Sequence, residues 1–256
     1  MFRLTQADGR YDQNFYRDQI DVSRRSADVV VPHLAALIDP RSVVDVGCGV
    51  GTWMASWVDH GVADVAGLDG SGAESGLLQV APSLVHTVDL ASSFGDDRRF
   101  DLAMTLEVAE HLPESAAGLF VERLTELSDV VVFSAAVPGQ GGTGHLNERW
   151  QSWWAQKFSA LGYLAYDVVR PLVWSEPEVA SYYAQNIIIY ANDVGRRRSP
   201  GLVDVTAATP MDLIHPRLFE RKIAHPVLRA VADALPERAK NAMTRRLRGS
   251  DFFRNV

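Results

Sequence analysis

Three alternating glycines follow a short apolar segment and form the part of the chain best suited to binding a nucleotide-like ligand. The segment Val43–Val46 predicts a buried strand that carries one acid, and Gly47, Gly49 and Gly51 come directly after it. Glycine has no Cβ and tolerates positive φ angles, so a ligand can approach the backbone of such a turn closely. An apolar run at helical spacing begins at Thr52. Strand, turn and helix together predict the first crossover of a nucleotide-binding α/β domain.

The spacing of these glycines distinguishes two classes of cofactor site. The dinucleotide fingerprint G-x-G-x-x-G requires a glycine at position 52, where this chain has threonine. The turn instead reads D-x-G-x-G-x-G, a form that resembles motif I of the class I S-adenosylmethionine (SAM) dependent methyltransferases. A glycine-rich turn without a ligand is the alternative, because glycine patterns alone are weak signals. The resemblance implies SAM as the cofactor and these contacts from the first crossover: Asp45, Gly47, Cys48, Gly49, Gly51 and Trp53.

A second acid stands where the next strand is expected to end. Asp69 lies 18 residues past Gly51 and is followed by Gly70 and Ser71. An acid at this position in nucleotide-binding α/β folds binds a ribose diol, because one carboxylate accepts hydrogen bonds from two neighbouring hydroxyls. We therefore expect Asp69, Gly70 and Ser71 to contact the ribose side of the cofactor.

A third acid, Asp89, ends the short predicted strand Leu84–Val88. The resemblance to methyltransferases places Asp89 beside the adenine amino group and lets Leu90 donate its backbone N–H to the ring. The alternative is a loop aspartate that caps Ser92 or Ser93.

A second stretch that resembles the family follows the fourth predicted strand, Phe100–Leu106, and reads Glu107-Val108-Ala109-Glu110-His111. Glu107 would lie at the carboxyl end of a central strand, where open α/β sheets bind ligands, and is a candidate cofactor contact. Glu110 and His111 are candidate catalytic residues that orient a substrate or bind a divalent metal such as magnesium. Scattered acids and one histidine do not form a metal-ligand spacing, so both roles stay open.

The glycine-rich loop 138–147 follows the fifth predicted strand and contains His145 and Asn147. It lacks the G-K-[S/T] of a phosphate-binding loop. Its four glycines would let the chain cross the top of the sheet and place His145 and Asn147 beside the methyl donor. An aliphatic hydroxyl needs a general base, and histidine, with a pKa near 6.5, serves most often. We predict His145 as that base; a loop histidine making structural hydrogen bonds is the alternative.

Aromatic residues supply the remaining candidate substrate contacts. The helical pattern Glu148–Leu161 carries Trp150, Trp153, Trp154 and Phe158 on one face, which is more typical of a core than of a binding platform. Trp150, at the start of that helix, is nevertheless well placed to stack on a sugar ring. The segment Tyr11–Ile38 predicts one or two amphipathic helices before the first strand. The resemblance to methyltransferases implies that a helix at this place covers the cofactor. Its candidate lid contacts are Tyr11, Tyr16, Arg25 and Ser26, with Tyr16 assigned to the substrate.

These elements predict an α/β fold. The resemblance covers about residues 40–192 and implies a doubly wound, seven-stranded, Rossmann-like methyltransferase sheet with an antiparallel last strand, N-terminal lid helices and a helical C-terminal extension. We expect a methyltransferase domain over residues 1–194 and a basic helical extension over 195–256. A solvated linker is predicted at residues 196–201, followed by the helical patterns Arg217–Ala224 and Val227–Leu247.

Charge is distributed unevenly along the 256 residues, whose net charge is −7. Residues 195–256 carry a net +7 and the first 194 residues a net −14, which argues against nucleic acid as the substrate. The basic, partly apolar tail needs a surface to cover, so we expect a homodimer. One cysteine excludes an intrachain disulfide, and no signal peptide or membrane span is visible, so a cytoplasmic location is expected.

The resulting hypothesis is SAM-dependent O-methylation of a small polar molecule. The His145–Asn147 loop and Trp-rich helix resemble actinobacterial small-molecule methyltransferases, including those acting on sugars and polysaccharide precursors, which implies a methylated mannose or glucose oligosaccharide as the acceptor. The alternatives are N-methylation of an amino metabolite, a nicotinamide-dependent oxidoreductase, and a non-catalytic SAM-binding protein.

Overall fold

A computed structural model describes residues 13–70, 76–92, 94–95 and 98–222 of the protein, without the side chains of residues 13–19. The strands are β1 (Ser42–Val46), β2 (Asp64–Asp69), β3 (Val85–Thr87), β4 (Leu102–Leu106), β5 (Val130–Ser134), β6 (Leu164–Tyr166) and β7 (Ile188–Ala191). The α-helices within this part are α1 (Gln13–Ile38), α2 (Thr52–Asp59), α3 (Ala117–Leu127), α4 (Gln151–Ala160), α5 (Arg170–Val173), α6 (Ser181–Asn186) and α7 (Asp193–Arg198).

The strands form one seven-stranded sheet in the order β3-β2-β1-β4-β5-β7-β6. β7 runs antiparallel to both of its neighbours, β5 and β6, whereas the other pairs are parallel. Because β1 has β2 on one side and β4 on the other, the strand order reverses between β1 and β4. Open α/β sheets bind ligands in the crevice at such a switch point, outside the carboxyl ends of the strands.

Helices cover both faces of the sheet, which explains why its strands are nearly continuous apolar runs. Successive strand residues point to opposite faces. Val43 packs in the core that contains Leu34 of α1 and Trp57 of α2. Its neighbour Val44 packs in the core that contains Phe120 of α3. The predicted α/β class, the seven-stranded Rossmann-like sheet and the N-terminal helix are confirmed.

The bounds of two predicted elements differ from those in the structure. The sequence pattern predicts the seventh strand over Gln185–Tyr190, but Gln185 and Asn186 end helix α6 and the strand begins at Ile188. The aromatic face of α4 is also divided. Trp154 and Phe158 are buried in the core, whereas Trp150 is 36% exposed and stands before the helix. Trp150 therefore lies just outside the buried face that Trp154 and Phe158 form.

The segment after β7 packs against the sheet. The expected solvated linker at residues 196–201 is wrong, because its first half lies in α7 and Ser199 is buried. Gly201 donates its backbone N–H to the carbonyl of Leu37 over 2.9 Å, and Leu202 is buried. Local composition suggested a solvated linker because three arginines stand in a row. In the structure, Arg198 forms an ion pair with Asp101 at 3.1 Å.

The chain forms two compact units, residues 1–213 and 214–256. In the second unit residues 216–222 are helical, and residues 223–256, which include the second predicted helical pattern, lie outside the described residues. The expected domain limit at residue 194 stays a prediction. Within the described part, none of the helices combines the length and apolar character that crossing a membrane requires.

Gly195 tests how closely α7 lies on the sheet. A Cβ at Gly195 would meet the carbonyl oxygen of Asp129 at 2.2 Å, and backbone cannot rotate away as a side chain does. We expect Gly195→Ala to lower the free energy of unfolding in urea by about 1–3 kcal/mol, as overpacking does.

The matched control is Gly118→Ala, in exposed helical backbone of α3 with no atom within 4 Å of the added Cβ. This change should raise the free energy of unfolding by about 0.4–1 kcal/mol. Equal effects of the two substitutions would contradict the close packing of α7.

Candidate cofactor and acceptor site

The glycine turn after β1 leaves its backbone open on one side and packed on the other. Gly49 has φ 53°, and a Cβ built there would meet no atom within 4 Å. Gly47 has φ 83°, and a Cβ there would lie 2.3 Å from Cγ2 of Val108. The first position is thus accessible to a ligand. The second brings the turn into contact with the segment that follows β4.

Two acids line this turn. Asp69 ends β2 and accepts the backbone N–H of Gly49 at Oδ2 over 2.7 Å. Asp45 is 3% exposed, and burial, together with the negative charge of Asp69, raises the pKa of Asp45 to about 8. Asp69 therefore holds the turn, and its role at the ribose stays a prediction. Gly70 follows it, and Ser71 lies outside the described residues.

Trp53 connects the turn to two helices. Its Nε1 donates to the hydroxyl of Tyr183 over 3.4 Å, and the two rings meet edge to face at 5.1 Å. Ser23 of α1 lies 3.3 Å from the same hydroxyl. Burial raises the pKa of Tyr183 to about 12. Tyr183 and Ser23 were not found from the sequence, since no spacing links them to Trp53.

The candidate lid residues of α1 have mainly structural partners. Ser26 is fully buried, donates to the carbonyl of Val22 and accepts the N–H of Ala180. Arg25 pairs with Glu178 at 3.5 Å near the surface. Tyr11 and the side chain of Tyr16 lie outside the described residues.

Asp89 caps the turn that follows β3. Its Oδ1 accepts the N–H of Ala91 over 3.0 Å, and its carbonyl accepts the N–H of Ser92 over 3.1 Å. Leu90 is buried, 8% exposed. The capping role that we weighed against adenine binding is thus present, with Ala91 as the donor, and the adenine role stays a prediction.

Glu107 is held by buried amides. Its Oε2 accepts from Nε2 of Gln140 over 2.6 Å and its Oε1 accepts from Nδ2 of Asn186 over 3.1 Å. Gln185 donates to both amides, and all three amide side chains are at most 8% exposed. Burial raises the pKa of Glu107 to about 7, although the hydrogen bonds from Asn186 and Gln140 oppose the shift. Its φ of 57° is strained for a residue with a side chain.

The amides around Glu107 were missed by the sequence analysis. One signal was available: Gln185 and Asn186 are polar residues directly before the apolar run of β7. Polar groups that fold into a core need partners, and a buried acid is one.

Glu110, His111 and His145 meet beside Glu107. Glu110 is fully buried, and neither of its carboxylate oxygens has a hydrogen bond of normal geometry. Burial, followed by the charge of Glu107, raises the pKa of Glu110 well above its usual value, although the backbone N–H groups of Glu110 and Ala136 oppose the shift. The rings of His111 and His145 lie edge to face at 4.9 Å. Burial and the neighbouring His145 lower the pKa of His111.

The loop 138–147 is fixed by Glu148. Its carboxylate accepts the N–H groups of Gly139 and Gly141 over 2.8 and 2.7 Å, and Nδ1 of His145 lies 2.9 Å from its Oε1. Burial alone would raise the pKa of Glu148, but the hydrogen bonds from His145 and the two glycines lower it. The sequence analysis placed Glu148 only at the start of a helical pattern.

The loop and the segment after β4 form one continuous site. The carbonyl of Glu110 accepts the N–H groups of Leu146 and Asn147 over 2.7 and 3.0 Å. Asn147 is 2% exposed, and neither of its amide atoms has a partner. Trp150 and Leu146 are exposed close by in sequence. Since Val108 touches the glycine turn and Glu110 holds the loop, the structure joins the two sets of predicted residues.

Comparison with known proteins gives a family match and a partial relative. A family model described as "Methyltransferase domain" matches residues 13–164. The ubiquinone biosynthesis O-methyltransferase of Alkalilimnicola ehrlichii is 32% identical over 124 residues, covering 44% of this chain and 49% of that protein. The chain thus matches about half the length of that relative.

Solved structures share the fold at low identity. The magnesium protoporphyrin IX methyltransferase ChlM from Synechocystis, with bound S-adenosylhomocysteine (SAH), has a TM-score of 0.52 and 20% identity, over 73% of this chain and 90% of that one. The sugar N-methyltransferase KedS8 from Streptoalloteichus sp has a TM-score of 0.53 and 17% identity, over 75% and 96%. Because the family model matches more than half of the chain and the sheet has the order described above, this chain belongs to the class I SAM-dependent methyltransferases.

Proposed function

We propose that the chain transfers the methyl group of SAM to a hydroxyl of a small polar acceptor, a sugar or oligosaccharide of the methylated mannose or glucose type. The observation that carries this proposal is the pair of His145 and Glu148, 2.9 Å apart, in a loop held against the segment that touches the glycine turn. A histidine oriented in this way next to a methyl donor has the chemistry of a general base.

The cofactor side of the proposal uses the first crossover and the acid of β2. The open backbone at Gly49 admits SAM, and Asp69 accepts from the ribose hydroxyls while it holds the Gly49 N–H. The crystallised ChlM structure holds SAH, the product that methyl transfer leaves. We keep Asp45, Glu107, Asp89 and Leu90 as proposed cofactor contacts.

The chemistry is an in-line displacement. The hydroxyl oxygen attacks the methyl carbon, the carbon–sulfur bond breaks, and the hydroxyl proton passes to Nε2 of His145. Glu148 holds Nδ1, which fixes the ring and stabilises its positive charge. The protein contributes orientation and exclusion of water in addition to the base.

The methyl acceptor side favours a polar molecule. Asn147 is buried with an unpaired amide donor and an unpaired oxygen, and such groups cost free energy unless a ligand or water binds them. Sugar hydroxyls donate and accept, so they fit both atoms. The exposed Trp150 offers a face for the apolar side of a sugar ring.

N-methylation of an amino compound is the second candidate. It is supported by the shared fold of KedS8, described as a sugar N-methyltransferase. An amine needs less help from a base than an aliphatic hydroxyl does, so His145 distinguishes the two. The family match leaves the nicotinamide oxidoreductase alternative without support. The homodimer and the cytoplasmic location stay predictions, and light scattering of the full chain measures the former.

Asp69→Asn tests the cofactor site. Asparagine keeps an oxygen for the Gly49 N–H but loses the charged acceptor for the ribose. We expect SAH binding to weaken by about 1.5–3 kcal/mol, the usual contribution of a hydrogen bond to a charged group, measured by calorimetry. The control Asp64→Asn lies at the exposed start of the same strand, pairs with Arg98, and should bind SAH as the wild type does. Unchanged binding in Asp69→Asn would refute the ribose role.

His145→Ala tests the base. Transfer of labelled methyl from SAM to mannose and glucose oligosaccharides should fall about 10²–10⁴-fold, the contribution of general base catalysis, with SAH binding unchanged. The exposed His60, at the end of α2, provides the control His60→Ala, which should keep full activity. Similar loss in both variants would contradict the base. Full transfer to amino sugars by His145→Ala would favour N-methylation.

A further inference from the structure

Three side chains that bind metals well converge at the methyl acceptor side of the site. One ligand atom from each of Glu110, His111 and His145 lies within 4.8 Å of the other two. Over the described ranges of the chain, no second trio of His, Cys, Asp or Glu residues is grouped in this way. We propose that this trio, the Glu110–His111–His145 cluster, binds one divalent transition-metal ion.

Glu110 supplies an independent reason to expect a cation. Its side chain is fully buried, and neither carboxylate oxygen has a hydrogen bond of normal geometry. The backbone N–H groups of Glu110 and Ala136 lower the pKa of this carboxyl, but less than burial raises it. Burial of an unpaired carboxyl group costs several kcal/mol on typical scales, so such groups are usually paired or bound to metals. Glu107, the neighbouring acid, is different, because amides hold both of its oxygens. Glu110 is therefore the carboxylate of this site that lacks the contacts a cation would provide.

The two histidines are oriented from outside the cluster, as metal-binding histidines are. Glu148 holds Nδ1 of His145 at 2.9 Å, and the backbone of Gly144 accepts a hydrogen bond from His111. For His145 this leaves Nε2 available to the cluster. A carboxylate behind a histidine fixes its tautomer and increases its strength as a ligand.

Gly142 preserves the space at the free nitrogen of His145. A Cβ at Gly142 would lie 2.1 Å from Nε2 of His145. The φ angle of Gly142 lies outside the positive region, so backbone conformation does not require glycine there. The missing side chain is needed for room at Nε2, the atom that would contact the ion.

The ligand set favours particular ions. Two imidazoles and one carboxylate suit Zn²⁺, Co²⁺, Ni²⁺, Fe²⁺ or Mn²⁺, whereas Mg²⁺ prefers an octahedron of oxygens. Ligand atoms at about 2.1 Å from one ion lie about 3–4 Å from each other. The three ligand atoms of the cluster lie within 4.8 Å of one another, close to that spacing.

The inference rests on the proposed function in one respect, the role of the ion. Three protein ligands leave positions open for an oxygen of the methyl acceptor, and a bound divalent ion lowers the pKa of a hydroxyl. Nε2 of His145 cannot bind the ion and take a proton at once. With an ion bound, Glu110, His111 and His145 would hold it, and the ion would supply the lowering of the hydroxyl pKa; without an ion, His145 acts as the base proposed above.

Cobalt binding tests the cluster without any methyl transfer. Full-length protein is treated with EDTA, freed of the chelator and titrated with Co²⁺, whose visible absorption reports nitrogen and oxygen ligands. We expect one equivalent to bind, to be displaced by Zn²⁺, and to stay bound in a tenfold excess of Mg²⁺. His111→Ala and Gly142→Ala should each weaken Co²⁺ binding at least tenfold, whereas His60→Ala should bind as the wild type does.

Calorimetry with SAH runs in parallel on each variant and reports an intact fold. Absence of a Co²⁺ band in the wild type, or equal Co²⁺ affinity in His111→Ala, would overturn the metal site. A second outcome would also overturn the metal site: the protein binds SAH and methylates in the presence of a chelator, but shows no Co²⁺ band. That outcome would leave the proposed function intact. The wild type could instead bind one Co²⁺ that His111→Ala does not bind, and yet transfer methyl to none of the hydroxyl compounds. This result would support the metal site and count against the proposed function.

Discussion

The parallel pairing of β1 with β4 is the contact on which the rest of the site depends. In this register Asp45 lies opposite Met104, so the two strands end at the same edge of the sheet. The chain then continues into the glycine turn on one side and into Glu107 and Val108 on the other. Gly47 meets the side chain of Val108 so closely that no larger residue fits. The glycine turn and the Glu110–His111–His145 cluster lie next to each other because β1 and β4 are neighbouring strands.

Carboxylates gather at this edge despite the cost of burying them. Asp45, Asp69 and Glu107 follow or end three strands, and burial raises the pKa of Asp45 and of Glu107. Asp69 accepts the backbone N–H of Gly49, and the amides of Gln140 and Asn186 donate to Glu107 and stabilise its ionised form. An acidic edge of this kind is electrostatically complementary to the positive sulfonium of SAM.

The loop after β5 is rigid for a related reason. Glu148 accepts two backbone N–H groups of the loop, and it also holds His145. The same carboxylate thus sets the path of the glycine-rich segment and the orientation of its histidine. Next to it, Glu110 and Asn147 keep unpaired polar atoms in buried positions. In a folded protein such atoms mark where a ligand is needed.

Patterns within short stretches of the chain were enough to predict the class of the fold, the glycine turn and the family. These features are local: strand segments show as apolar runs, glycine at 47, 49 and 51 is required by positive φ, and Asp69 follows at a fixed offset. The residues predicted for the loop and for the segment after β4 were also found in one site.

The partners of these residues, by contrast, come from distant parts of the chain and depend on how the chain folds. Gln140 and Asn186 reach Glu107 from 33 and 79 positions away, and His145 joins Glu110 and His111 across the sheet edge. The helical rather than extended conformation of Gln185 and the packing of α7 depend on the same long-range contacts. Spacing along the chain contains no information on such pairs, because their distance is set by which strands are neighbours and by where each connection crosses the sheet.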